Sequence, residues 1–335
     1  MISRVTITDI AEKCGVSIKT VSRVLNQSPD VKPATRDKVL AAMKEEGYQV
    51  NLFARGLKGS RTNIIIVFID RHQEEHFSLW HNIMIKYLIQ YAKKNNLKIV
   101  ISPSNSEEYL EDETDGFYLL SSGVADGAIL LENVKNDKRV EYLEEHGIPY
   151  VVFGEPEGED IYSVSLDNYD VGFKGGSFLV NKGFRDIVFM LGETRFLSNQ
   201  RRIKGFLDAV EGTGVNHEEV PGIDTIEKAY RQTLVILGRR RVDAFFVSGD
   251  ERAIGVYRAI YEKSLRIPKD VAVLGIDNIP QGKYLFPPMS TIDQDFDRLA
   301  RECICRVVIL LQGDVTEDVK RKILIPGAII ERDST

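Results

Sequence analysis

The 335-residue chain has three cysteines, one tryptophan and no long apolar run, and each scarcity removes a class of protein. Cys14 stands alone, and Cys303 and Cys305 are i,i+2 neighbours that point in different directions on a helix. That is neither a disulfide framework nor a metal-ligand spacing, so the thiols read as reduced. The longest apolar stretches, residues 64–69 and 125–131, fall far short of the ~20 residues a membrane helix needs. No N-terminal apolar segment leads into a cleavage site, so secretion is not expected. The expectation is a cytoplasmic, nucleoid-associated protein away from the membrane. No G-x-x-x-x-G-K-[S/T] run provides a phosphate loop. His72-Gln73-Glu74-Glu75-His76 has Gln where the zinc motif H-E-x-x-H places its general base, and it follows a strand, which suits a loop. No nucleophile motif accompanies a Ser/His/acid set. The reading is therefore not an enzyme, with no catalytic residue, metal or cofactor. A 43% apolar content is ample for a core.

Charge is unevenly placed. The net charge is −6, but residues 1–62 carry eleven basic and six acidic side chains, +5, and the rest carries −11. A small basic segment joined to an acidic body is the pattern of a nucleic-acid module on a body with another task.

The basic segment contains two short helices around a glycine. Thr8 or Asp9 can cap a first helix through Ile10, Ala11 and Cys14; Gly15 ends it, and Ser17 can cap a second helix through Thr20, Val21, Val24 and Leu25. This is a helix-turn-helix, whose second helix enters the major groove. Val21, Val24 and Leu25 are spaced to pack inward. Ile18, Lys19 and Arg23 then face out as base readers: Lys and Arg donate to guanine, and Ile meets a thymine methyl. Thr6, Ser17, Thr20, Ser22, Asn26 and Thr35 carry short polar groups suited to phosphate. A third helix is expected after Pro33, capped by Thr35 and running through Val39, Leu40, Ala42 and Met43 to Gly47.

Thr6-Ile7-Thr8-Asp9-Ile10-Ala11, Gly15-Val16-Ser17, Thr20-Val21-Ser22-Arg23-Val24-Leu25-Asn26, Thr35-Arg36 and Gly47-Tyr48, dense and in register, resemble the LacI/GalR family of bacterial repressors. The resemblance implies that residues 50–62 are a hinge that folds on operator DNA, with Leu57 as a minor-groove wedge beside Asn51, Ala54 and Arg55. Inserting an apolar side chain to kink DNA is a general minor-groove strategy. Val50 stands where the family usually has proline, and Gly56 costs ~1 kcal/mol of helix propensity relative to alanine.

From residue 63 short β-branched runs alternate with helical stretches. Strands are expected at 64–69, 98–102, 127–131, 150–153, 187–191, near 220, 244–247 and 271–275. Helices are expected from Trp80 to Tyr91, near 115–122, and at 137–146, 169–182, 199–212, 225–238 and 251–263. A second series begins at Val164. Such alternation implies parallel sheets, with ligands at the carboxyl ends of the strands. Gly172 and Gly176, i,i+4 on one helix, read as close-packing positions. The fold class is α/β: a three-helix headpiece (1–49), the hinge (50–62), and a core (63–335) of two Rossmann-like lobes. The first lobe is about 63–163 and 294–325, the second about 164–291. The body resembles the periplasmic-binding-protein-like core of the same family through Asp167, Gly172, Gly205, Asp250, Gly275, Asp277, Pro288 and Thr291-Ile292, among other positions.

By that resemblance Arg202, Asp250, Asp277, Gln294 and Phe296 contact an effector, and Phe77 and Trp80 follow the first strand and line its lobe. Arg71, His72 and His76 lie nearby. Arginine offers a fork of donors and aspartate paired acceptors, a set that suits sugar hydroxyls. Gly249, Gly154 and Leu131 stand where some relatives place polar contacts, beside Asp250, Glu155 and Glu132. The implied partners are a near-palindromic double-stranded operator, a carbohydrate effector and a second copy of the chain. A regulator answering to a purine, and the solute-binding protein of a transporter, are the alternatives. No heptad tail follows Ile330, so tail-mediated tetramers are not expected.

Overall fold

A computed structural model describes residues 5–25, 28–48, 61–70, 77–104, 106, 109, 115–131, 134–156, 158, 160–316 and 319–335. The chain separates after Thr62 into two compact units.

The smaller unit is three helices, α1 (Ile7–Cys14), α2 (Ile18–Leu25) and α3 (Pro33–Glu45). Thr6, not Thr8 or Asp9, caps α1. Its hydroxyl accepts from Asp9 N (3.4 Å), and the Asp9 carboxylate accepts from Thr6 N (2.8 Å), a reciprocal box. Asp9 is therefore the third residue of the helix, and these bonds hold its pKa below the ordinary carboxylate value. Gly15, at φ 57°, ends α1 in the left-handed region. Ser17 Oγ accepts from Thr20 N at 3.1 Å and starts α2. Thr35 does not cap α3. Lys32 precedes the helix without a side-chain bond, and Pro33 opens it, where a missing N–H costs nothing. Ile10, Ala11, Cys14, Val21, Val24, Val31, Val39 and Ala42 form the core, while Leu40 faces out.

The larger unit holds two six-stranded sheets. The first contains β1 (Ile64–Asp70), β2 (Lys98–Ser104), β3 (Gly127–Leu130), β4 (Tyr150–Phe153), β5 (Ser163–Leu166) and β11 (Lys322–Ile325), in the order β11-β5-β4-β3-β1-β2, all pairs parallel. The second contains β6 (Asp186–Met190), β7 (Asn216–Val220), β8 (Ala244–Val247), β9 (Ala272–Asp277), β10 (Ser290–Asp293) and β12 (Ala328–Ile330), in the order β12-β10-β9-β8-β6-β7. Only β12 runs antiparallel among the described pairs. The helices are α4 (Leu79–Lys94), α5 (Phe117–Ser121), α6 (Lys138–Glu145), α7 (Asn168–Asn181), α8 (Leu197–Val210), α9 (Ile226–Arg239), α10 (Asp250–Glu262) and α11 (Phe296–Gln312).

Central strands are buried on both faces. Along β8, Ala244 and Phe246 pack toward α7 and α8, and Phe245 and Val247 toward α9 and α10. This is why the strands read as unbroken apolar runs. In the first lobe α11 lays Leu299, Ala300, Cys303, Ile304 and Val307 on the sheet beside Met84 and Leu88 of α4. Burial raises the Cys303 thiol pKa.

Two lobe boundaries differ from expectation. Residues 163–166 pair with β4, Val152 opposite Ser163 and Phe153 opposite Val164, so the first lobe extends to Leu166. Residues 328–330 pair with β10, so the chain returns to the second lobe after residue 325. The patterning identifies a buried strand but not its neighbour. The long helix α11 was not anticipated.

One helix crossing positions the site. Glycines 172, 176 and 205 let α7 and α8 touch backbone to backbone. A Cβ on Gly172 would strike the Arg202 carbonyl, and one on Gly205 would strike the Tyr169 carbonyl and lie 2.8 Å from Phe173 N.

Candidate functional site

The close α7–α8 crossing places Arg202 beside Asn168, the first residue of α7 behind its cap Asp167. Arg202 Nε donates to Asn168 Oδ1 at 2.9 Å, and Nη1 donates to Ser248 Oγ at 2.8 Å, after β8. Asn168 is buried, and its Nδ2 donates to the Leu166 carbonyl (2.9 Å) and to Ser165 Oγ (3.3 Å). Burial pulls the Arg202 pKa down to about 10, while Asp277 opposes that shift.

Asp277 ends β9. Its φ of 127° lies in a region that L residues rarely occupy, and Asn278 follows at φ 56°. A strained carboxylate at a strand's carboxyl end is a feature of functional positions. Gln294, at the return crossing between lobes, donates through Nε2 to Asp277 Oδ1, and its Oε1 accepts from Trp80 Nε1 at 3.2 Å. Burial raises the Asp277 pKa to about 6, against the pull of Arg202 and Arg252.

These groups border a cleft of about 700 Å3, its open mouth included. The first lobe contributes Trp80, Leu131, Phe153, Gly154, Ser165 and Leu166; α7 contributes Asn168; the second lobe contributes Phe196, Ser198, Asn199, Arg202, Ser248, Gly249 and Asp277; the crossing contributes Gln294. Trp80 packs against Phe153 (centroids 5.3 Å apart) and Phe296 (6.1 Å). The lobes also meet where Val134 bridges Phe196 and where Arg201 approaches Glu155 at 3.7 Å.

Of the seven residues expected here, Trp80, Arg202, Asp277 and Gln294 lie on the wall. Phe296 does not line the cleft; it is buried in the first-lobe core behind Trp80. Phe77 is 45% exposed and also does not line it. Asp250 is fully buried off the wall. Its Oδ1 accepts from Thr291 Oγ1 (2.7 Å) and Oδ2 from Ile279 N (3.0 Å), so it fastens the start of α10 to β10 and to the segment that follows β9. Gly275 leaves the room for that carboxylate. Burial first, and the Asp277 charge second, push its pKa up to about 8. Asn168, Ser165, Phe196, Ser198, Asn199 and Ser248 were not anticipated. Asn168 directly follows a strand and a cap, and Ser248 directly follows β8, so the carboxyl-end rule pointed to both. The departures Leu131, Gly154 and Gly249 all border the cleft. Arg71, His72 and His76 lie outside the described residues.

In the smaller unit, α2 buries Val21 and Val24 and exposes Ile18, Lys19 and Arg23. Ser17 and Thr20 share a 2.9 Å hydroxyl bond, Thr6 is engaged in its cap, and Ser22 and Thr35 are half-buried. Asn26 and Leu57 lie outside the described residues, as do Val50 and Gly56. Among the described residues no cluster of His, Cys, Asp or Glu could hold a metal ion, and no helix is long and apolar enough to cross a membrane.

Residues 6–51 match the model of bacterial regulatory proteins of the lacI family, and residues 177–335 match a periplasmic binding protein-like domain. The chain is 30% identical over 326 residues to the HTH-type transcriptional regulator CelR of Thermobifida fusca, covering 95% of each chain. It is 30% identical to the HTH-type transcriptional repressor PurR of Erwinia tasmaniensis, covering 88% of this chain and 86% of that one. A lac repressor dimer bound to operator and the anti-inducer ONPF superposes with a TM-score of 0.85 at 26% identity, covering 99% of each chain. A CelR–cellobiose complex gives 0.73 at 27% identity, covering 99% of this chain and all of that one.

Proposed function

We propose, from the premise that the chain belongs to the lacI family of bacterial regulatory proteins and is a DNA-binding transcriptional regulator rather than an enzyme, that its effector is an uncharged sugar held between the two lobes of its core. The observation that carries this reading is the pairing of Arg202 and Asp277 on a cleft with the aromatic rings of Trp80, Phe153 and Phe196. Nε and one Nη1 hydrogen of the guanidinium are used by Asn168 and Ser248, which fixes its plane. The Nη2 edge remains to donate to a hydroxyl, and Asp277 accepts. Asp277, on the same wall as Arg202, would repel a phosphate placed between them, whereas a neutral hydroxyl can donate to it.

Two copies of the chain read a near-palindromic operator, one α2 helix per half-site, with Ile18, Lys19 and Arg23 on base edges and Leu57 as the minor-groove wedge. The exposed Tyr284 (87%) and Phe286 (97%) contribute to the surface between copies. The effector shifts operator affinity by its differential affinity for two arrangements of the lobes.

Thermal unfolding of the full chain with neutral mono- and disaccharides, sugar phosphates and purine bases tests the class. A ligand at ~100 times its Kd adds ~2.7 kcal/mol. A neutral saccharide should stabilise the chain, and Arg202→Ala and Asp277→Asn should each remove the gain. Stabilisation by purine bases alone would replace the sugar by a base stacked on Phe196 and Trp80. A gel shift on palindromic DNA, steeply weakened by salt, tests the operator half.

A further inference from the structure

Two helices from different lobes meet by their first turns across the cleft. α4 follows β1 in the first lobe and α10 follows β8 in the second. Glu251, in the first turn of α10, extends its carboxylate to α4, where Oε2 accepts from Leu79 N at 2.7 Å. Leu79 is the first residue of α4, so its N–H has no acceptor within its own helix. Ser78 serves a different donor there, its hydroxyl accepting from His81 N. Helix N-termini carry partial positive charge, which disfavours bringing two together and favours an anion between them. Glu251 supplies that anion from the opposite lobe. The contact sits at the rim of the cleft, since Trp80 beside Leu79 and Gly249 two residues before Glu251 are both wall residues.

We infer that Glu251 is an interlobe latch that sets the fraction of molecules with a closed cleft before any ligand arrives. It is a positioning residue and touches no ligand. Its contact is charge-assisted and competes with water only when the lobes part, so removing it lowers the closed-to-open ratio by roughly tenfold. The Val134–Phe196 bridge and the Trp80–Gln294 bond keep part of the closure. Effector affinity follows the closed fraction, because apparent Kd is the intrinsic Kd divided by that fraction. Only this last consequence rests on the effector reading given above.

The chain carries its own reporter. Trp80 is the single tryptophan and borders the latch. Acrylamide quenching of its fluorescence in the ligand-free full-length chain reads cleft opening directly. Glu251→Ala should raise the quenching constant and shift emission to the red. Glu251→Gln, whose amide carbonyl still accepts from Leu79 N, should fall between Glu251→Ala and the parent chain. Leu79→Pro removes the donor but not the helix, because proline is accepted at a first helical position. It should raise quenching in the same direction as Glu251→Ala, and the double variant should fall short of the sum of the two. Quenching of Glu251→Ala equal to the parent overturns the latch, as does full additivity of the two substitutions. Far-UV circular dichroism checks folding; if Leu79→Pro does not fold, the order of the two Glu251 variants decides. No ligand is used, so a failed saccharide screen and a failed latch remain distinct results.

Discussion

Gly205→Ala tests whether a single helix crossing builds the effector site. An added methyl would strike the Tyr169 carbonyl and lie 2.8 Å from Phe173 N, both backbone atoms that no rotamer change can move aside. Restoring van der Waals contact requires α7 and α8 to separate by about 1 Å. Overpacking of this kind costs ~1–3 kcal/mol, against ~1 kcal/mol gained from replacing glycine by alanine in a helix. The expected net is a loss of up to ~2 kcal/mol, which lowers the melting temperature by up to roughly 8 °C for a body of this size. The consequence for the site is larger. Arg202 and Asn168 sit on opposite sides of the crossing, and their 2.9 Å bond does not survive a displacement of that size. A saccharide that stabilises the parent chain should therefore bind Gly205→Ala at least tenfold more weakly. Gly238→Ala is the control. Gly238 lies in α9, and a Cβ there approaches only Lys263 Nζ, at 4.0 Å. It should raise stability by up to ~1 kcal/mol. Thermal unfolding of the two variants side by side decides the matter. If Gly205→Ala melts with or above Gly238→Ala, the crossing is not tight and does not position Arg202.

Lys19→Ala and Arg23→Ala should each relax base preference at one operator position at a cost of ~1–3 kcal/mol; binding-site selection that shows uniform weakening instead would reassign both to phosphate. Asp250 gives a pH signature. Its folded pKa of about 8 lies far above the ordinary ~3.9, so between those values the native state holds a proton that the unfolded chain releases. The Asp250 contribution to core stability should be fully present below about pH 4 and lost as pH rises through 8, and Asp250→Asn should remove that decline while leaving the part that Asp277, at about 6, contributes at lower pH. Urea midpoints that fall equally from pH 6 to 8 in both proteins would remove Asp250 as the cause. Phe286→Glu with Tyr284→Glu should shift sedimentation toward a single chain at micromolar concentration, and an unchanged boundary would place the contact between copies elsewhere.

Local chemistry makes most elements readable from the sequence. The reciprocal cap of α1 was present as Thr6-x-x-Asp9, yet attention to the residue nearest the apolar run favours Thr8, so the cap is misplaced by two residues. Pro33 shows the same tension. A proline with Thr two positions later looks like a capped start, but a helix can begin on proline itself when no side chain is needed. Assignment of strands to lobes failed for a different reason. Ser163–Leu166 and Ala328–Ile330 are short, and nothing within them records whether β4 or β10 is the neighbour. That choice is made by the three passages between lobes, a property of the whole path. α11 escaped notice because Phe296–Gln312 interleaves its buried apolar residues with Arg298, Arg301, Glu302 and Arg306, and it packs on a lobe far back in the chain.

The cleft is the part least written in any one stretch of sequence, because its wall is drawn from strand ends that are distant along the chain. Arg202 and Asp277 could be singled out as charged residues at such ends, but charge alone does not separate a wall from a staple. Asp250 and Asp277 are both buried carboxylates at the edge of the second lobe, and both have raised pKa values for the same first cause. Their partners divide them. Asp250 has one oxygen on Thr291 and the other on the Ile279 N–H, so a ligand would have to displace two bonds that tie α10 to β10 and to the segment after β9. Asp277 is held on one oxygen by Gln294, a side chain that also answers to Trp80 of the opposite lobe. A hydroxyl that donates to Asp277 thereby perturbs Gln294, and through it the contact between lobes. The strained backbone at Asp277 keeps its carboxylate at that junction, which is where a regulator needs its ligand to act.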